Sequence, residues 1–225
     1  MHVLICANGA PQTLPRTIPV GDYIIAADGG ARLCRRARLR PNLLIGDLDS
    51  LTSAEIAELR AEGVEVRQYP AQKDQTDLEI ALEAAVEVGA ERVTILGALG
   101  GRWDQSLANL MLLAHPRWRS LPVVLLAGEE RVLLIAERAR LCGEVGDTVS
   151  LIPLGGDARG VTTSGLAYPL TDGVLPFGAT LGVSNVLSAP CAEITVQSGL
   201  VLAFHIPKAQ LAEIEEAKRR EALGR

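Results

Sequence analysis

The sequence predicts an α/β doubly wound, mostly parallel sheet followed by an all-β, sandwich- or barrel-like domain. Two observations carry this expectation. Over the first 127 residues, short apolar runs alternate with helix-period segments, the rhythm of strands covered by helices on both faces. After Gly128 the helical period stops, and strand-like runs follow one another with only Gly, Pro, Asp and Ser turns between them. The expected domains are therefore 1–128 and 129–207, with a charged tail at 208–225.

In the first part, Val3–Ala7, Tyr23–Ala27, Leu43–Gly46, Val64–Tyr69, Val93–Gly97 and Val123–Ala127 read as strands. Ala31–Leu39, Ser53–Glu62, Asp77–Val88 and Trp103–Ala114 read as helices. Thr52-x-x-Glu55 and Thr76-x-x-Glu79 are capping-box patterns, and Gly63 and Gly89 stand where a glycine ends a helix. Leu107, Leu110, Met111 and Ala114 form the expected core face of the fourth helix. In the second part the strand-like runs are Val132–Ala136, Thr148–Pro153, Gly160–Thr163, Leu166–Leu170, Thr180–Ser184, Ala192–Val196 and Val201–Ile206. The tail favours helix, with Leu211, Ile214 and Ala217 on one face and charge elsewhere.

Composition narrows the function classes. The chain has 225 residues, 48% hydrophobic and 22% charged, with a formal net charge of −5. That charge disfavours nucleic acid as a bulk partner. The histidines are His2, His115 and His205, too few to supply imidazole metal sites or Ser-His-Asp chemistry readily. Cys6, Cys34, Cys142 and Cys191 are scattered, without a Cys-x-x-Cys pair. They read as buried small hydrophobes in a reducing compartment, with neither a disulfide nor a zinc role expected. No signal peptide or long apolar run stands out, so a soluble, cytoplasmic protein is expected, with no membrane partner.

Six aspartates fall at or just after predicted strand ends within the first 104 residues: Asp28, Asp47, Asp49, Asp74, Asp77 and Asp104. Strand ends of an open α/β sheet converge on one crevice, where such sheets bind ligands. Carboxylates crowded there call for a counter-cation, and oxygen-only ligands favour Mg²⁺ held together with substrate phosphates. In Gly46-Asp47-Leu48-Asp49-Ser50, an extended backbone would send Asp47 and Asp49 to the same side; the alternative is an Asx-type turn. Lys73-Asp74-Gln75-Thr76-Asp77 opens a helix, where Thr76 and Asp77 serve as cap and dipole partner. Capping leaves Lys73 and Asp74 without a reason, and Lys73 is the only lysine before Lys208, a point charge suited to phosphate. Gly100-Gly101-Arg102-Trp103-Asp104-Gln105 lets a backbone approach phosphate closely and adds a guanidinium fork. It matches neither a Walker loop nor a dinucleotide fingerprint. Gly29-Gly30 is common at such junctions, whereas Asp28 is not required by the turn. Ser184-Asn185 offers uncharged donors and acceptors for a heteroaromatic edge, or simply a polar turn.

In this order and context, the motifs resemble the thiamine pyrophosphokinase family over residues 1 to about 207. The resemblance implies an α/β catalytic domain paired with a β-sandwich, a homodimer with thiamine at the subunit interface, and Mg²⁺-dependent pyrophosphate transfer from ATP to the thiamine hydroxyl. It implies Asp47, Asp49 and Asp74 on the metal with Asp77 beside it. Asp28, Gly29, Gly30, Lys73, Thr76, Asp77, Gly101 and Arg102 would serve ATP. Asp104 and Gln105 would face the acceptor, with Asp104 the candidate to orient its hydroxyl. Tyr168, Ser184 and Asn185 would contact thiamine. Gln105 stands where many members carry histidine, and Tyr168 where many carry tryptophan; tyrosine still stacks on a cationic ring. The rival readings are a pyrophosphokinase for another hydroxymethyl heterocycle such as a pterin, a silent nucleotide or thiamine sensor, and a metal-dependent phosphohydrolase.

Overall fold

Apolar runs too short for helices become the strands that organise the first of two units, Met1–Gly128 and Glu129–Arg225. The computed structural model describes residues 1–9 and 14–222. In the first unit β1 (His2–Cys6), β2 (Tyr23–Ala27), β3 (Leu43–Gly46), β4 (Glu65–Gln68), β5 (Arg92–Leu96) and β6 (Val123–Ala127) alternate with α1 (Gly30–Arg36), α2 (Ser53–Ala61), α3 (Asp77–Glu87) and α4 (Trp103–Leu112). The strands lie in the order β4-β3-β2-β1-β5-β6 and every pair is parallel. The chain winds outward from β1 to β4, then returns to β5 on the other side of β1. The winding direction thus reverses between β1 and β5, which leaves a crevice at their carboxyl ends.

Side-chain alternation explains why both faces need cover. Leu4, Cys6, Ala26 and Leu44 pack with Leu33 and Cys34 of α1 and Leu59 of α2. The intervening Val3, Ile5, Ile25, Leu43 and Ile45 are buried as well, and α3 packs on β1, β2 and β3, bringing Leu78, Ile80, Ala81, Leu82, Ala84 and Ala85 into the interior. The Thr52 capping box forms in both directions with Glu55, an arrangement in which the cap alone contributes about 1 kcal/mol. Thr76 accepts from the Glu79 amide, but the Glu79 carboxylate bonds Gln75 Nε2 instead of completing a box.

The fourth helix corrects an expectation. Trp103, Leu107 and Met111 are 89%, 57% and 55% exposed, so the predicted core face does not form around Leu107 and Met111. Ser106 and Leu113 are buried instead, and Leu110 is half-buried. Apolar residues lie all around this helix, so its period alone could not select the inward face.

The second unit contains β7 (Glu130–Ile135), β8 (Arg138–Cys142), β9 (Thr148–Ser164), β10 (Gly173–Leu175), β11 (Asn185–Val186), β12 (Cys191–Thr195), β13 (Ser198–Ile206) and the terminal helix α5 (Lys208–Ala222). The order β7-β13-β9-β12-β8 is antiparallel throughout. The two runs expected at 148–153 and 160–163 are one bent strand. Its first half pairs with β13 and its second with β12, with Gly155 and Gly160 in the left-handed region at the bend. Leu166–Leu170 makes only the isolated bridge Leu166–Leu187, and Thr180–Ser184 is a turn rather than a strand. Ile135, Leu141, Val149, Leu151, Val161, Ile194 and Val201 belong to one core. Beneath α5, the buried Asp147 accepts from the Lys208 amide, the Glu144 amide and His205 Nε2. No helix among the described residues is long and apolar enough to cross a membrane.

The cysteine expectation is also corrected. Cys142 and Cys191 form a disulfide, while Cys6 and Cys34 remain free and buried. Cys142 lies directly opposite Cys191 in the β8–β12 register, and a separation of 49 residues hides that pairing from local sequence inspection. Closing a loop of that length removes about 4 kcal/mol of unfolded-state freedom in the chain-entropy model. The double variant Cys142→Ser/Cys191→Ser is therefore expected to lose up to about that much stability in non-reducing urea unfolding. An unchanged midpoint and slope would show that the bridge does not constrain the unfolded chain.

Candidate active site

The crevice at the carboxyl ends of β1 and β5 is a polar cleft of about 380 Å³, entirely within the first unit. Its lining includes Asn8, Asp28, Asp47, Asp49, Lys73, Asp77 and Gln105. Residue Asp28 follows β2, and its amide donates to the Ile45 carbonyl at 2.8 Å, so it sits beside the end of β3 and the Gly46-Asp47 step. Oxygen atoms of Asp28, Asp47 and Asp49 lie within 4.8 Å of one another.

The carboxylates of Asp47 and Asp49 meet through a turn, not an extended strand. Leu48 has φ +64°, and the Asp49 amide donates to Asp47 Oδ1 at 3.2 Å. Asp28 also takes a left-handed backbone, φ +47°, while almost wholly buried. Two non-glycine residues in this region cost of order 1–3 kcal/mol each, and such strain persists only where surrounding contacts dictate it. Gly46 is required here as well: at φ +140°, a Cβ would come within 2.9 Å of Asp77 Oδ1.

Lys73 is the cation among these acids, with Nζ 3.2 Å from Asp47 Oδ2 and 3.1 Å from Asp77 Oδ1. Burial alone would raise the Asp47 carboxyl, but the Asp49 amide and Lys73 outweigh it and hold it below the usual range. At Asp77 burial dominates and pushes the carboxyl up despite Lys73. Burial would lower Lys73, yet its two carboxylates win and raise it.

The structure gathers some of the expected site residues and not others. Asp28, Asp47, Asp49, Lys73, Thr76, Asp77 and Gln105 line the cleft. Asp74 is exposed, outside both the acidic trio and the cleft lining. Gly29, Gly30 and Gly101 are absent from the lining, as are Arg102 and Asp104. The last two pair with each other in solvent, Nη2 to Oδ2 at 2.5 Å and Nε to Oδ1 at 3.1 Å, and the guanidinium keeps the Asp104 carboxyl low. Ser50, the last residue of the Gly46–Ser50 motif, also lines the cleft, as do Asn8 and Asn109, which no sequence motif marks. Asn8-Gly9 directly follows the first strand, and that position was the available signal.

Tyr168, Ser184 and Asn185 lie in the second unit. The Asn185 carboxamide is spent on Tyr168: Oδ1 accepts from its amide at 3.0 Å and Nδ2 donates to its carbonyl at 2.7 Å. Asn185 therefore fixes the loop that presents the exposed Tyr168 ring. Ser184 holds φ +61°, its amide donating to Ser150 Oγ at 3.0 Å.

Two family models match: thiamin pyrophosphokinase, catalytic domain, over residues 15–125, and thiamin pyrophosphokinase, vitamin B1 binding domain, over residues 136–201. A protein of Bacillus subtilis named thiamine pyrophosphokinase is 29% identical over 203 residues, covering 88% of this chain and 95% of its own. The crystal structure of thiamine pyrophosphokinase from Bacillus subtilis superposes with a TM-score of 0.81 at 26% identity, covering 92% of this chain and 100% of that one. A thiamin pyrophosphokinase family protein from Enterococcus faecalis gives 0.81 at 28% identity, with the same coverages.

Removing the lysine should expose the electrostatics of the cleft. Lys73→Met leaves Asp47 and Asp77 without their ammonium, a change expected to cost about 1–2 kcal/mol of stability for a partly buried pair. Asp47 has a depressed folded value, so its contribution is present above the ordinary 3.8 and is lost as pH falls through the folded value. Asp77, held above the ordinary range, takes up its proton first. The stability gap between wild type and K73M should thus be full at neutral pH, begin to shrink above about pH 4 as Asp77 protonates, and close further below it as Asp47 follows. Urea unfolding from pH 3 to 8 reads it; a gap independent of pH would contradict this account.

Proposed function

The chain belongs to the thiamin pyrophosphokinase family, and from that premise we propose that it transfers pyrophosphate from ATP to the hydroxyl of thiamine, giving thiamine diphosphate and AMP. The observation that carries the reading to this chain's residues is the cleft at the β1–β5 reversal, where three carboxylates and one lysine converge. We infer that residues 1–128 are a doubly wound ATP–Mg²⁺ domain, and that residues 129–207 are a β-sandwich that binds thiamine and supports dimerisation. The thiamine site would lie at the interface of a homodimer, with Tyr168 stacking on a cationic ring and Ser184 offering its hydroxyl.

An all-oxygen donor set with several carboxylates fits Mg²⁺. Asp28, Asp47 and Asp49 are the residues that would hold it; Asp74 and Asp77 stand as further candidates. Bound Mg²⁺ would supply charge neutralisation on the ATP phosphate oxygens. The protein's own share is positioning and electrostatics, as in phosphoryl transfer generally. Lys73 can place its ammonium on a phosphate oxygen, and Thr76 and the start of α3 offer a hydroxyl and backbone N–H groups to an anion. Gly29, Gly30 and Gly101 allow the backbone to approach. Arg102 can exchange Asp104 for a phosphate, which frees the Asp104 carboxylate to orient the incoming hydroxyl beside Gln105. A cytoplasmic location accords with the family's chemistry, although the Cys142–Cys191 bridge removes the reducing-compartment argument drawn from scattered cysteines.

The assay is direct. Incubation with ATP, Mg²⁺ and thiamine should yield AMP and thiamine diphosphate in equal amounts, whereas a hydroxymethylpterin should yield neither. Asp49→Asn is expected to lower turnover at least a hundredfold with its circular dichroism unchanged, consistent with loss of electrostatic transition-state stabilisation. AMP release without any acceptor, or near-wild-type turnover of Asp49→Asn at saturating Mg²⁺, would overturn the assignment.

A further inference from the structure

Asn8 touches the acidic trio without belonging to it. Its Nδ2 donates to Asp28 Oδ2 at 3.0 Å and to Ser50 Oγ at 2.9 Å. The Ser50 hydroxyl in turn donates to Asp49 Oδ1 at 3.3 Å, and the Ser50 amide reaches Asp28 Oδ1 at 3.4 Å. One carboxamide therefore links the loops after β1, β2 and β3, and through Ser50 it connects two of the three carboxylates. The backbone around it is prepared for this role. The Gly9 amide, next in the chain, donates to the Gly97 carbonyl at 2.7 Å, which anchors Asn8 to the end of β5. A Cβ on Gly29 would fall 2.1 Å from Asn8 Oδ1, so that glycine vacates the space the amide occupies.

We propose that Asn8 is a positioning residue of the pyrophosphate-transfer site: its carboxamide holds Asp28 and Ser50 so that Asp28, Asp47 and Asp49 converge on a divalent cation bound with the ATP phosphates. The inference rests on the functional reading above. A neutral amide suits the task because it restrains Asp28 without cancelling its charge. A lysine or arginine in the same place would form an ion pair and compete with the metal for the carboxylate. Asn8 touches no reacting atom, and its effect reaches the substrate through Asp28 and Asp49.

The test compares wild type with Asn8→Ala and Ser50→Ala. Mn²⁺ binding is followed by electron paramagnetic resonance, with and without a non-hydrolysable ATP analogue, alongside steady-state kinetics and thermal unfolding. Asn8→Ala should weaken Mn²⁺ binding about tenfold, the scale of one hydrogen bond to a charged group. It should raise KM for Mg–ATP similarly and leave KM for thiamine within about twofold. Ser50→Ala, which cuts one arm of the link, should weaken Mn²⁺ binding by a smaller factor. Wild-type Mn²⁺ affinity in Asn8→Ala would overturn the inference. So would a comparable rise in both KM values together with a lower melting temperature, because that pattern marks a general structural defect. If wild type forms no AMP with thiamine, the functional reading fails, while the Mn²⁺ titration still decides the role of Asn8.

Discussion

Mutual repulsion among Asp28, Asp47 and Asp49 is the constraint around which the catalytic unit is arranged. Two like charges at 4.8 Å repel by roughly 3 kcal/mol at an effective dielectric near 20. A chain folding under ordinary selection for stability would separate them. The fold instead drives them together with backbone: β2 and β3 are parallel neighbours, and the register pairs Ala27 with Ile45, so the next residues on each strand meet at the sheet edge. Left-handed turns at Asp28 and Leu48 then keep the carboxylates from fanning outward. The strain and the repulsion are offset by the apolar packing of β1–β3 beneath them.

Glycine at the β2–α1 junction makes this convergence sterically possible. A Cβ at Gly30 would lie 1.9 Å from the Cys6 carbonyl oxygen, so α1 can begin tight against the end of β1 only with hydrogen there. Moving α1 outward would carry Asp28 away from Asp47 and Asn8. The site is therefore coupled to the core: Ala31, Leu33 and Cys34 of the same helix pack on Leu4 and Cys6, and burial of that face sets where the carboxylate stands.

Much of this was legible in the sequence where a local pattern maps onto a single physical cause. The bounds of β2, β3 and β6 follow from apolar runs flanked by glycine or charge, and the start of α2 from Thr52 with Glu55. What escaped depends on pairing between distant segments. Arg138–Cys142 alternates arginine with Ala139 and Leu141, a strand period too short to stand out without its partner, so β8 escapes the sequence, and the disulfide to β12 with it. Glycines at 155, 156 and 160 look like turns, although in a long antiparallel strand they permit a bend without breaking the ladder. In the site, the family resemblance implies Asp74 beside Asp47 and Asp49. Asp28 joins them spatially only because β2 and β3 are adjacent, a fact of topology that spacing along the chain does not encode. The Asn185 carboxamide, which the sequence offers as a recognition group, is engaged by the Tyr168 backbone, a pairing that local sequence does not encode.

The cleft and the first turn of α4 balance their carboxylates in opposite ways, and the difference bears on what each can bind. Asp104 sits in solvent, paired on both oxygens with Arg102, and is electrically satisfied by the protein itself. The trio has one lysine, which it shares with Asp77, and Asn8 and Ser50 contribute dipoles without charge. Four carboxylates against one ammonium leave a strong negative excess, held by neutral donors that cannot neutralise it. Such a preorganised field costs nothing further when a cation arrives, whereas arginines in place of Asn8 or Ser50 would first have to be displaced. The same imbalance opposes the approach of ATP alone. On the proposed reading, nucleotide and metal would enter together, because their combined charge is what this imbalance would accept.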